Sequence, residues 1–396
     1  MLKEKGYRVE GVSFVLWDVK NRGDAKSCCS LTAVEDARRT ARVLGIEHRT
    51  VDARGEFSEL VIERFVSEYG MGRTPNPCVL CNRFVKFPML LKEARIRGLQ
   101  NIATGHYAIV EAVEATAAGA AAEAGMTAEA GMTAEAGRAA EAGGRRVLKK
   151  ALDEKKDQSY FLYVLSRECF DALELPLGGY RKSEVRAIAA ALELPAAGRA
   201  ESQDICFVER GGYGKFIRQL GVDVNSTAPG LAAPAAGPII DTHGRRLGTH
   251  AGLYAFTIGQ RRGTGVAAGE PLYVTAIDAF ANTLVVGRRD EVFSAGFQVR
   301  GINWLVPPDE VFAGDREASV DVKFRSAMKE QPAVLRVLSA GVDVSEMPHA
   351  SVGGDLSGGA FGAVAVEFKE PQWAAASGQS AVFYRGGTVL GGGKIN

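Results

Sequence analysis

The chain has no apolar run of the roughly 20 residues that a membrane-spanning helix needs. Its 396 residues contain only six cysteines and five histidines, and its first residues do not read as a signal peptide. We therefore expect a cytoplasmic, reducing location without structural disulfides. The net charge of +1 excludes a strongly basic protein that holds nucleic acid through its overall field, so any RNA must bind to local patches.

The few cysteines include a pair three residues apart. Cys78 and Cys81 follow Pro75 and Pro77, and Cys206 lies far downstream. Because prolines fix the backbone, we predict that the two thiols lie on a stiff exposed turn. A zinc site is disfavoured, since the sequence has no second CxxC and no HxxxH pair. A thioredoxin-like pair would begin a helix after a strand, without flanking prolines. We therefore favour thiolates that handle sulfur.

The pattern of predicted secondary structure changes twice along the chain. Up to about residue 104, strand-like and helix-like segments alternate, which is typical of a doubly wound parallel sheet with ligands at the strand carboxyl ends. Residues 111–146 contain a hexapeptide repeat of Ala, Gly and Glu, for which we expect a disordered or loosely helical surface insertion. Beyond Phe207, short β-type runs such as Leu253 to Ile258 and Ser380 to Tyr384 predict a small β-rich domain and then a β-barrel.

Many motifs occur in the order in which one family has them. They are Cys28 to Leu31, Glu35 to Arg39, Arg73 to Asn82, Val85 to Phe87, Ala103 to Tyr107, Lys156 to Leu162, Ser202 to Phe207, Thr257 to Arg261 and Gly378 to Tyr384. Through them the chain resembles the tRNA-specific 2-thiouridylase family over nearly its whole length. The resemblance implies three domains: a Rossmann-like PP-loop ATPase-type domain of the adenine nucleotide alpha hydrolase kind (1–205), a small central domain (206–292) and a C-terminal β-barrel (293–396).

One family feature, the Ser-Gly-Gly-Val-Asp-Ser loop that holds the pyrophosphate of ATP, does not occur in the sequence. The first six residues read as the last turn of the helix that follows such a loop, because Lys3 and Lys5 suit a helix C-terminus and Gly6 suits its cap. A strand near Arg8 to Leu16 also expects a preceding parallel strand and crossover helix. We therefore expect the chain as it stands to bind ATP weakly and to be inactive.

The resemblance implies ATP-dependent 2-thiolation of the wobble uridine of tRNA. The O2 of uracil cannot depart as oxide, so ATP, with Mg²⁺, converts it to an adenylate and AMP becomes the leaving group. By resemblance, Phe14 and Gly105 contact ATP, Cys81 is the nucleophile and Cys206 carries the sulfur as a persulfide, and transfer closes a disulfide. The expected sulfur donor is a cysteine desulfurase or a sulfur-relay protein.

Cys78 leaves a second mechanism open. Many family members have Asp where this chain has Cys78, so Cys78, Cys81 and Cys206 are three candidate ligands for an iron-sulfur cluster with an open iron site. A persulfide relay needs only the other two, and it is the mechanism that we prefer. The three cysteines that we interpret as non-catalytic are Cys28, Cys29 and Cys169.

The resemblance also assigns residues to the RNA. The target base is expected at Asn76, Pro77 and Cys78. The further tRNA contacts are expected at His106, Lys156, Asp157, Gln158, Lys323, Phe324 and Gln379. Phe324 stands where the family usually has Tyr, which removes a hydroxyl but keeps a face for stacking. A wobble base in a single-stranded loop can be splayed into a pocket at low cost.

Two function classes follow from these expectations. The first is an ATP-dependent tRNA 2-sulfurtransferase with its PP-loop encoded ahead of Met1. The second is an N-terminally truncated protein that binds tRNA, or accepts sulfur, without adenylating uridine. An in-frame run of Ser-Gly-Gly-Val-Asp-Ser codons immediately upstream of Met1 would favour the first class.

Overall fold

The structure is a computed structural model in which three regions of regular secondary structure follow one another along the chain. It describes residues 1–17, 31–113, 145–195, 198, 205–208, 214, 216–217, 236–338 and 361–396. Within these ranges, no helix combines the length and the apolar character needed to cross a membrane.

The first region mixes helices with short strands. Its strands are β1 (Glu10–Val15), β2 (Glu47–Asp52), β3 (Ile102–Ala103), β4 (Ile109–Val113), β5 (Arg145–Lys149) and β6 (Leu173–Glu174). Its α-helices are α1 (Leu31–Leu44), α2 (Arg54–Phe57), α3 (Arg64–Gly70), α4 (Pro77–Cys81), α5 (Phe87–Ile96), α6 (Arg167–Asp171) and α7 (Lys182–Ala191). Two π-helical turns, Ser58–Glu63 and Asn82–Lys86, join α2 to α3 and α4 to α5.

Parallel pairing confirms the α/β character of this region. β1 pairs with β2 in register from Glu10 opposite Glu47, and β3 pairs with β6. Arg97, just after α5, binds the carboxylates of both Glu10 and Glu47, so the helix is tied to the start of the first strand pair. Gly105 is the second residue after β3, which places it just beyond the carboxyl end of a parallel strand, where α/β folds bind their ligands.

The central region is a four-stranded sheet. Its strands are β7 (Gly237–Asp241), β8 (Arg246–His250), β9 (Tyr273–Asp278) and β10 (Thr283–Gly287), in the order β8-β7-β10-β9. The segment from Leu253 was expected to continue as a strand, but Leu253–Ala255 forms a 3₁₀ helix. Leu253, Tyr254 and Phe256 are all buried there, and successive inward side chains suit a helical turn better than a strand with alternating faces.

The C-terminal region confirms the predicted barrel. Its strands are β11 (Phe293–Trp304), β12 (Glu317–Lys323), β13 (Gln331–Val337), β14 (Ala363–Trp373), β15 (Ser380–Arg385) and β16 (Thr388–Ile395), and α8 (Pro308–Phe312) follows β11. The sheet order β11-β14-β13-β12-β15-β16 closes through pairing of β16 with β11. A Cβ at Gly391, Gly392 or Gly393 would lie 2.6 Å from a backbone oxygen of a neighbouring strand. Three consecutive glycines therefore allow the closing strand to fit.

A hairpin from the first region extends the barrel sheet. β4 pairs with β5, and β5 pairs with β16 through Lys149 opposite Thr388 and Leu148 opposite Val389. The repeat between β4 and β5 lies outside the described residues, but the strands on both sides of it are present. The α/β region is therefore joined to the barrel by backbone hydrogen bonds as well as by side-chain packing.

Deleting residues 117–143 is expected to shift the melting temperature by no more than a few degrees, because both hairpin strands remain and loop-closure entropy changes slowly with length. Leu148→Ala is the matched opposite case. It removes a side chain with 0% exposure at the strand that meets the barrel and should cost about 2–5 kcal/mol. Circular dichroism melts measure both variants. A deletion variant that melts as low as Leu148→Ala would show that the repeat packs on the fold.

Candidate active site

The cysteine pair lies at the start of a helix. Asn76 is the N-cap of α4, its Oδ1 accepts a hydrogen bond from the Val79 N–H at 3.3 Å, and Pro77 occupies the first helical position. This corrects the expected exposed turn: Cys78 is exposed, but Cys81 is buried within the same helical turn. Asn at the N-cap followed by Pro at the first helical position favours the start of a helix. The prolines therefore precede and begin a helix here and do not form an exposed turn.

The turn after the cysteines is π-helical. Pro88 has no N–H to bond the carbonyl four residues earlier, so a regular α-helix cannot continue through this segment without a lost bond. Asn82, with 2% exposure, donates from Nδ2 to the Phe161 carbonyl at 2.9 Å. Its Oδ1 is buried and has no hydrogen-bond partner among the described residues. The hydrogen bond to Phe161 thus ties the backbone that follows Cys81 to a distant segment of the chain.

Phe207 anchors the segment that carries Cys206. Its ring, 4% exposed, makes edge contacts with Phe57 at 5.6 Å and Phe65 at 5.3 Å between ring centroids. These rings belong to the hydrophobic cluster that contains Cys81, and Cys206 packs against this cluster. Two cysteines that lie 125 positions apart in the sequence therefore pack at one hydrophobic cluster, and their reaction with each other stays a prediction.

Two residues are expected to contact ATP. One lies at the same hydrophobic cluster and the other lies just after the end of a strand. Phe14, on β1, packs against the cluster that contains Cys81. Gly105 is exposed, and a Cβ added to it would only meet the Leu177 Cδ1 at 3.6 Å, so packing does not require glycine here. An exposed backbone at a strand carboxyl end is open to the approach of a ligand.

Four described cysteines are thiols, and they differ in environment. Cys169 is buried in a different cluster from Cys81, and burial raises the pKa of its thiol. Within the described ranges, no three His, Cys, Asp or Glu side chains are grouped so that they could hold a metal ion. Cys78, Cys81 and Cys206 all lie in these ranges, so they do not fit a preformed iron-sulfur site. Cys28 and Cys29 lie outside the described residues.

His106 lies beside α5, which follows the helix of the cysteine pair (α4, here called the cysteine helix) after the π-helical turn. Its ring stacks on that of Phe87, the first residue of α5, with 5.6 Å between centroids, and its Nδ1 is 2.8 Å from the Thr104 hydroxyl. Gln158 is tied to the same loop by two bonds: its Oε1 accepts from the Tyr107 N–H at 2.9 Å, and its own N–H donates to the Tyr107 carbonyl at 2.7 Å.

Asp157 and Lys323 form a buried contact between the α/β region and the barrel. Their side chains are 1% and 7% exposed, and Nζ of Lys323 lies 3.9 Å from Oδ2 of Asp157. Oδ1 of Asp157 also accepts from the N–H groups of Ala151 and Ser159, and Oδ2 accepts from the Ser159 hydroxyl at 2.9 Å. Neither side chain is available to RNA in this arrangement, contrary to expectation.

Phe324 also differs from its expected role. It has 0% exposure and packs in the barrel core against Phe297 and Phe368, with centroids 5.5 and 5.8 Å away. The face that was expected to stack on RNA is therefore covered. Gln379, by contrast, is half-buried, and its buried Oε1 has no hydrogen-bond partner among the described residues. Lys156 is half-buried next to Asp157.

Two tyrosines that the sequence analysis did not assign connect the cysteine helix to the barrel. The Tyr160 hydroxyl donates to the Ser380 carbonyl at 3.0 Å, and burial raises its pKa while the nearby Asn76 side chain opposes that shift. The Tyr163 hydroxyl donates to the Ser380 hydroxyl at 2.9 Å, and burial raises its pKa to about 12. Both lie within or beside a quoted motif, but only the fold shows which surface they meet. A Thr74 N–H bond to the Ser377 carbonyl at 2.8 Å reinforces this contact.

The geometry defines a class of protein: an α/β domain that places two distant cysteines at one apolar cluster and is held against a β-barrel. Comparison agrees for each region. Residues 1–210 match the family described as the tRNA methyl transferase HUP domain, residues 230–288 its PRC-barrel domain, and residues 352–395 an aminomethyltransferase beta-barrel domain.

Three similar proteins share one name and indicate a single family. The chain is 40% identical over 398 residues to tRNA-specific 2-thiouridylase MnmA 1 of Thermoanaerobacter pseudethanolicus, covering 100% of this chain and 93% of the relative. It is 39% identical to the MnmA proteins of Geotalea uraniireducens and Chloroflexus aurantiacus, covering 100% of this chain and 90% and 93% of the relatives. The chain belongs to the tRNA-specific 2-thiouridylase family, which confirms the resemblance found in its motifs.

Asp157→Ala is expected to destabilise the protein by about 3–5 kcal/mol, because it leaves the Lys323 ammonium buried without its carboxylate. Arg336→Ala is the matched control, since it breaks an exposed pair with Glu317 at 2.9 Å and should cost about 0–1 kcal/mol. Urea unfolding measures both. Equal losses for the two variants would contradict a structural role for the buried pair.

Proposed function

We propose that this protein carries out ATP-dependent 2-thiolation of the wobble uridine of tRNA, with sulfur delivered from a persulfide on Cys206. The observation that carries the proposal is the packing of Cys81, Cys206 and Phe14 against one cluster. The relatives' shared name, tRNA-specific 2-thiouridylase, supports the same reaction. We further propose a cytoplasmic location, with a cysteine desulfurase or a sulfur-relay protein as donor.

Activation precedes sulfur transfer. The O2 of uracil attacks the α-phosphorus of ATP, pyrophosphate leaves, and C2 gains AMP as its leaving group. Phe14 contacts the adenine and the exposed backbone at Gly105 approaches the nucleotide, at the carboxyl ends of the strands. Mg²⁺ bound together with ATP would neutralise charge on its phosphates.

Sulfur transfer uses the two cysteines in sequence. The Cys81 thiolate attacks the Sγ of the Cys206 persulfide, the persulfide S–S bond breaks, and the terminal sulfur leaves as hydrosulfide while a Cys81–Cys206 disulfide forms. Hydrosulfide attacks C2 of the activated uridine, and AMP leaves with the original oxygen. A thiol reductant then supplies two electrons and returns both cysteines to thiols. Burial of Cys81 keeps bulk water away from the thiol that attacks the persulfide.

The residues that were expected to contact RNA divide into two groups. Asn76, Pro77 and the exposed Cys78 lie at the N-terminus of the cysteine helix, where we place the target base, and Gln379 offers its buried acceptor. His106 and Lys156 are half-buried and complete the RNA surface. Asp157 and Lys323 act indirectly, because their buried contact holds the α/β region against the barrel. Phe324 fills the barrel core, and the half-buried Gln158 fixes the loop at Tyr107.

In a version of the protein that carries a PP-loop, Cys81→Ala and Cys206→Ala are each expected to abolish thiolation, while Cys169→Ala should keep it, because Cys169 lies in a different cluster. The assay measures 2-thiouridine in tRNA by mass spectrometry. It is run on the chain itself and on a version preceded by the first strand and PP-loop of the Thermoanaerobacter pseudethanolicus relative. Similar activity in all three variants would remove the site assignment. Binding of tRNA without thiolation in both versions would favour a binding protein instead.

Cys78→Asp separates the relay from an iron-sulfur mechanism. In the relay Cys78 only neighbours the nucleophile, so this variant should retain most of the activity, and anaerobically purified protein should be active without iron. The control is Cys81→Asp, which removes the nucleophile and should be inactive. Iron-dependent activity that is lost on chelation, together with an inactive Cys78→Asp variant, would contradict the relay.

A further inference from the structure

Arg64 and Arg83 lie together against one aromatic ring. The guanidinium carbon of Arg64 is 4.4 Å from the centroid of Phe84, and that of Arg83 is 5.2 Å from the same centroid. Both arginines come from π-helical irregularities: Arg64 directly follows the Ser58–Glu63 turn, and Arg83 lies within the Asn82–Lys86 turn. The two turns contact each other. Such turns occur frequently at functional sites.

Among the residues that the structure describes, these two cations have no anionic partner. Neither guanidinium makes an ion pair or a hydrogen bond there, and both contact the ring of Phe84. Glu68, one turn after Arg64, is bound to the Lys394 ammonium at 3.0 Å. Burial and the neighbouring Arg64 lower the pKa of Arg83, while Tyr163 opposes this shift. Like charges are thus held together in a half-buried place without compensation, which is costly unless an anion binds.

The basic pairs visible in the sequence behave differently. The carboxylates of Glu310, Glu174, Glu111 and Glu330 neutralise, in that order, Arg145, Arg146, Lys149 and Lys150. Local charge in those pairs is therefore already satisfied by the protein. Arg64 and Arg83 differ because their charge remains available to a ligand.

The position of this pair identifies the anion. Phe84 packs against the cluster that contains Cys81 and that Cys206 also contacts, so the arginines lie at the rim of the sulfur site. We infer that Arg64 and Arg83 bind a backbone phosphodiester of the RNA next to the target nucleotide. This rests on the proposed function. Planar guanidinium groups suit the geometry of a phosphate, and a phosphate contact positions an RNA strand without reading its sequence.

The test uses an RNA hairpin with the sequence of a tRNA anticodon stem-loop. Arg83→Gln and Arg64→Gln should each weaken binding on the order of tenfold at low salt and reduce the slope of log affinity against log salt by about 0.7–0.9. Arg95→Gln is the control, since Arg95 is an exposed arginine paired with Glu168, and its affinity and slope should match wild type. Arg83→Lys should recover part of the loss.

A second set of hairpins carries one neutral methylphosphonate at each loop linkage in turn. One linkage should weaken binding to wild type on the order of tenfold but have little further effect on Arg83→Gln. The melting temperature of Arg83→Gln should equal or exceed that of wild type, because the variant removes a desolvated charge beside another cation. A fall in melting temperature with RNA affinity unchanged would show a structural role and overturn the inference.

Other outcomes separate this inference from the proposed function. Unchanged RNA affinity and salt slope in both glutamine variants would overturn it, as would weaker ATP binding with normal RNA binding, which would assign the phosphate to the nucleotide. Arginine-dependent RNA binding without thiolation would sustain the site and reject the proposed function. Absence of hairpin binding by the wild-type chain would reject both.

Discussion

The position of the helix that carries Cys81 depends on the contact at Ser380. Its carbonyl accepts a hydrogen bond from Tyr160 and its hydroxyl accepts one from Tyr163, and the Asn76 side chain influences the same Tyr160 hydroxyl. Asn76 caps the helix that carries Cys81, and Ser380 begins β15, a strand of the closed barrel. Closure of the barrel and placement of Cys81 are therefore mechanically connected. A barrel that has no cysteine of its own thus contributes to the candidate site by fixing where Cys81 lies.

The sequence allowed prediction of the elements whose local signals agree with their final environment. β1 falls inside the predicted strand, and the predicted barrel is present. The cysteine helix was missed because Pro75 and Pro77 were weighed as turn residues, although Asn76 before Pro77 is also a helix start. β16 could not be read from local pattern, since Gly391–Gly393 have low strand propensity and are needed only because neighbouring strands approach them closely.

The site shows the same division. The motif order was sufficient to propose that Cys81 and Cys206 meet, and the structure places both at one cluster. Burial was not visible in the sequence: Asp157 and Lys323 read as charged residues available to RNA, yet they face each other inside the protein. The sequence shows which charged side chains are present. It does not show which of them form ion pairs, because their partners lie far away in the sequence.

Controlled oxidation tests most directly whether Cys81 and Cys206 are reaction partners. The chain is treated with diamide and its peptides are mapped by mass spectrometry without reduction. We expect the main cross-link to join Cys81 to Cys206, because both pack at the same cluster. A main cross-link between Cys78 and Cys81, with Cys206 left as a thiol, would contradict it and would indicate a redox CxxC pair instead.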